Sequence, residues 1–63
     1  MCLSTVYLNR EDKSEEVMQD VAQMEAQDDG FVLIGLLGEQ KFVQGMIKSI
    51  DFVDKHRVVL EMK

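Results

Sequence analysis

Residues 14–27, SEEVMQDVAQMEAQ, carry two incompatible patterns, and choosing between them decides the fold. Val17, Val21 and Met24 fall at i, i+4 and i+7, and Ser14 ahead of Val17 resembles a capped helix start, so periodicity and propensity favour a helix. Against this, Ala22, Met24 and Ala26 alternate with Gln23, Glu25 and Gln27, a strand pattern that runs straight into Asp28-Asp29-Gly30. That tripeptide is the strongest turn signal in the chain, because Asp and Gly tolerate positive φ, and FVLIGLL follows it at 31–37. A hairpin is expected there, and 20–28 reads as strand.

The flanking segments supply more strands. Residues 2–8, CLSTVYL, are rich in β-formers and end at the polar stretch Asn9-Arg10-Glu11-Asp12-Lys13, which suits a reversal. Beyond 31–37, Gly38-Glu39 separates a second β pattern, QKFVQGMIKSIDFV, in which Gly45 marks a bend or bulge where the sheet curls. Asp54-Lys55-His56-Arg57 makes the last turn before VVLEM at 58–62. With no proline, linker or repeat, residues 1–63 form a single domain. About five to six short strands with tight turns predict an all-β protein, a small barrel or a strongly curled antiparallel sheet.

Composition narrows the function. A chain of 63 residues builds only a marginal core, and one cysteine and one histidine exclude an internal disulfide and a zinc finger made by a single chain. With those staples absent and 46% hydrophobic residues, a homodimer is expected. Twelve acidic against seven basic residues give a net charge of −5, with no basic cluster to neutralise phosphates, which argues against nucleic acid. No apolar run approaches the ~20 residues of a membrane span, and no secretory leader pattern is present, so a cytoplasmic setting with a reduced thiol is expected.

No Ser/His/Asp or Cys/His arrangement, glycine-rich phosphate loop or dinucleotide fingerprint occurs, and an enzyme is not expected. His56 reads as a solvated turn residue, Glu15-Glu16 as a solvated face, and Asp28 and Asp29 as turn formers rather than a catalytic pair. Met18, Met24, Met46 and Met62 read as fillers of core gaps. The candidate site is Cys2, the only cysteine, one position after Met1. Its plain alternative is a small apolar residue packing at the start of a strand.

Several segments together resemble one family: Met1-Cys2-Leu3 before a β run, Glu16-Val17-Met18-Gln19-Asp20-Val21 before an alternating strand, Asp29-Gly30 before FVLIGLLGE, and Val43-Gln44-Gly45-Met46-Ile47-Lys48-Ser49-Ile50-Asp51. The chain is similar along nearly its whole length to the CooT family, small nickel-binding accessory proteins of carbon monoxide dehydrogenase maturation. That resemblance implies a homodimer of a small SH3-like β-barrel, resolves 14–27 toward strand, and associates Cys2 with Ni(II). The implied role is that of a metal carrier or chaperone, with a nickel-enzyme maturation factor as partner.

The chemistry of position two suits that role. Removal of Met1 would give Cys2 a free α-amine beside its thiolate, a five-membered chelate. With Met1 retained, its amine, the Cys2 amide and the Cys2 thiolate would still close chelate rings. Thiolate and nitrogen donors in a square plane suit Ni(II), and two chains would supply four donors, while Cu and Zn compete for the same atoms. The alternative is a protein-interaction or RNA-binding small barrel in which Cys2 is structural.

Overall fold

The computed structural model of the chain describes residues 3–62. Six strands follow in order, β1 (Ser4–Arg10), β2 (Lys13–Gln27), β3 (Gly30–Gly35), β4 (Gln40–Gln44), β5 (Met46–Asp51) and β6 (Arg57–Glu61), and no helix occurs among the described residues. They form one sheet of order β4-β3-β2-β1-β6-β5. Both early hairpins close through two residues: Arg10 pairs with Lys13 around Glu11-Asp12, and Gln27 with Gly30 around Asp28-Asp29. The left-handed residues are Glu11, at φ 58°, and Asp28, at φ 55°. Gly30 is therefore needed for space rather than for its torsions, since a Cβ there would meet the Val43 carbonyl oxygen and come within 2.8 Å of the Gln44 Cα.

Only Gly45 separates β4 from β5, yet the two strands lie at opposite edges of the sheet. The sheet must therefore roll until its edges approach within one residue of chain. Gly45 forms this corner: its N–H donates to the Asp29 carbonyl at 3.2 Å, and an added Cβ would lie 3.0 Å from the Glu61 carbonyl oxygen. The corner does not become a ladder, because β4 and β5 share no strand pairing among the described residues, so the rolled sheet stays open. The strongly curled sheet is what forms, with two corrections. The expected barrel does not close, and the sheet is not purely antiparallel, since β1 and β6 pair in parallel from Thr5↔Arg57 to Asn9↔Glu61.

Residues 14–27 lie wholly in β2, which runs 15 residues. Three irregularities in its pairing explain the helix-like spacing. Between Ser4 and Val6 the partners on β2 step from Val21 to Met18, between Val6 and Tyr7 they step to Glu16, and between Gly35 and Ile34 they step from Val21 to Gln23. Each step inserts one extra residue into β2. Core-facing side chains consequently fall at Val17 and Met18 together, then Val21, then Met24, a spacing of three to four where an unbroken strand gives two. Asp20, at φ 54°, sits in the first insertion and turns the strand.

The core is Val6, Leu8, Val21, Leu33, Val43, Val58 and Leu60. Strands β1 and β6 contribute alternate residues through their parallel register, Val6 beside Val58 and Leu8 beside Leu60. Strand β5 contributes none. Ile47 and Ile50 lie opposite Leu60 and Val58, on the core side, yet remain 46% and 40% exposed because nothing continues the sheet beyond β5.

Candidate metal centre

Cys2, the expected metal ligand, lies outside the described residues, and the nearest described features are Leu3 and the start of β1. Leu3 is half-buried. Thr5 donates its N–H to the His56 carbonyl at 3.1 Å, stands opposite Arg57, and through Arg57 shares a row with Asp51. Strand β1 thus begins at the same end of the sheet as the loop 52–56. That loop displays Phe52 and Val53, which are 76% and 86% exposed. The Arg57 guanidinium lies 5.7 Å from the centre of the Tyr7 ring on β1, a cation–π contact that ties β6 to β1 near this end.

The loop is shaped by a residue that sequence patterning passes over. Asp51 Oδ1 accepts the N–H groups of Val53 at 3.1 Å and Asp54 at 3.0 Å, so β5 stops at Asp51 instead of running through Phe52-Val53. These hydrogen bonds, Asp54 first and Val53 second, hold the Asp51 carboxyl below its ordinary value, and the Arg57 charge adds to them. His56 then takes φ 50° and hands the chain to β6, half-buried in the turn where it was expected.

The other candidates resolve as structural groups. Asp28 is the left-handed turn residue, while the Asp29 carboxylate accepts from Gln44 Nε2 at 2.6 Å and braces the Gly45 corner. Glu15 and Glu16 are exposed, with only a loose 3.9 Å contact from Glu15 to Arg10. Met18 and Met24 pack against the core as expected, but Met46 and Met62 do not: they are 60% and 40% exposed, because β5 and the end of β6 lie where the sheet is uncovered. Among the described residues no three His, Cys, Asp or Glu side chains converge into a metal-sized cluster.

Comparison with known proteins assigns the chain a family. Residues 1–61 match the family model of the CO dehydrogenase accessory protein CooT. The chain belongs to the CooT family. The matched span includes Cys2 and all six strands. The fold agrees as well: a crystal structure assigned as a CooT from Carboxydothermus hydrogenoformans superposes with a TM-score of 0.86 at 27% identity, over 98% of each chain. No curated protein matches the chain. The family description is that of an accessory protein, which serves a catalyst rather than being one. No helix of the described residues is long and apolar enough to cross a membrane.

Proposed function

We propose that this chain is a cytoplasmic nickel carrier for carbon monoxide dehydrogenase maturation, working as a homodimer in which Cys2 of each chain holds Ni(II) between the subunits. The observation that carries the reading is the CooT family match over residues 1–61. Two features support the finer assignment. The only thiol in the chain stands at position two, where it can pair with terminal or backbone nitrogen. The chain also enters the sheet beside a loop whose Phe52 and Val53 are left in solvent.

Nickel here is cargo, so the site must bind and release. One thiolate and one or two nitrogen donors per chain give a site that is complete only when two chains contribute, and Ni(II) accepts such a set in a plane. Both thiol and amine must lose protons to bind, so affinity falls as pH drops below neutrality. Native mass spectrometry with added Ni(II) tests the assignment. The wild type should take up nickel and Cys2→Ala should not; equal uptake by both overturns the role of Cys2. Failure of the wild type to take up any thiophilic metal at micromolar concentration would favour an interaction module in which Cys2 packs structurally.

A further inference from the structure

We propose that the groove between the end of β1 and the free edge of β4 binds a small amphipathic carboxylate, its head held by Arg10 and Lys41 and its apolar tail laid on the open side of the core. Strand register brings the cations together. Lys41 stands opposite Leu33 and so lies on the core side of β4, while Arg10 follows Leu8 by two residues on the core side of β1, with Lys13 opposite it. Three of the seven basic residues thus sit on the concave side of the sheet. Register sets one acid among them, Glu15 opposite Leu8, whereas Glu16 stands opposite Tyr7 and belongs to the outer side.

The groove holds about 300 Å³, at the small end of ligand sites, and its floor is the core itself: the buried Leu8 and Val43, with Val17 and Met62 beside them. Met62 is 40% exposed, so an apolar tail laid here covers a side chain that the fold leaves in water. Four successive residues of β4, Lys41 to Gln44, line the groove, although alternate side chains of a strand point to opposite faces. The groove therefore follows the edge of β4. That strand pairs only with β3, and its unpaired N–H groups add neutral donors for an anion.

Charge sets the class of ligand. The whole chain carries −5, yet on the concave side here Arg10, Lys13 and Lys41 stand against Glu15 alone. Arg10 approaches Glu15 only loosely, at 3.9 Å, and among the described residues Lys41 enters no ion pair. An anionic head therefore finds unsatisfied cations. Glu16 reaches the rim of the groove from the outer side and disfavours a second negative charge, which selects a carboxylate over a doubly charged phosphate. A bare anion would leave the apolar floor in water, so head and tail are both needed.

Titration of the metal-free protein with octanoate, followed by amide chemical shifts, tests the site. Octanoate should saturate in the millimolar range or below and move the amides of residues 8–10, 15–17 and 41–44 first. Acetate, which is the head alone, and octylammonium, which is the tail with the opposite charge, should each bind about tenfold more weakly or worse. Lys41→Glu, at an exposed position, should weaken octanoate by about tenfold, and Met62→Ser should weaken octanoate while leaving acetate unchanged. An unchanged urea midpoint would show that both variants keep the fold. Equal binding of octanoate and octylammonium overturns the proposal, because the head is then not read, and so does an unchanged affinity in folded Lys41→Glu. Shifts centred on the loop 52–56, or on Phe31 and Met46, place binding elsewhere and overturn it too. Absence of saturable shifts overturns it in favour of a plainer role, in which the stems of Arg10 and Lys41 only cover the edge of the core.

Discussion

Asp51 spends its carboxylate on its own backbone. Because the hydrogen bonds it accepts from Asp54 and Val53 favour the charged form, its pKa in the folded chain lies below the ordinary 3.8. A carboxyl depressed on folding stabilises the fold fully above its unfolded value and loses that contribution as pH falls through its lower folded value. The turn 51–54 should therefore hold from neutrality down to about pH 4 and loosen below it. Amide exchange of Val53 and Asp54 measured against pH would show this, and in Asp51→Asn the acid dependence should vanish while a neutral cap remains; protection in the wild type that is flat from pH 7 to 3 would sink the account. The sequence reading ran the strand through Phe52-Val53 and began the turn at Asp54. Apolar residues made that extension natural, whereas the competition of one short carboxylate for two backbone donors leaves no trace in hydropathy.

At the scale of the element, β2 shows how a strand comes to look like a helix. Its inserted residues move Val17, Val21 and Met24 into helical spacing, and the alternation seen at Met24 and Ala26 survives only past the last insertion, where the strand is regular up to Gln27. The turn signal at Asp28-Asp29-Gly30 therefore carried the correct reading, while the periodicity misled for a definite reason. Asp20 is where the device can be tested. At φ 54° a short polar side chain is tolerated, but a β-branched one is not. Asp20→Val should lower unfolding stability by about 1–2 kcal/mol, and Asp20→Gly or Asp20→Asn should leave it nearly unchanged, as read from urea midpoints. Equal loss in all three would mean that the Asp20 side chain matters through its contacts rather than its backbone.

For the whole molecule, local sequence reached the all-β class and the turns but not the partner of β1. The Thr5–Asn9 stretch lies beside Arg57–Glu61, some fifty residues later in the chain, and nothing in either stretch marks the pairing as parallel. With β6 beside β1, β5 becomes an edge of the sheet. The nickel site proposed above, shared by Cys2 of two chains, gives an expected stoichiometry of one nickel per dimer. Titration of the metal-free dimer with Ni(II), read by native mass spectrometry, separates the cases. Saturation at one ion per two chains supports the shared site. Saturation at one ion per chain, lost in Cys2→Ala, would show each thiol holding its own metal, and would overturn the bridging geometry without touching the role of Cys2.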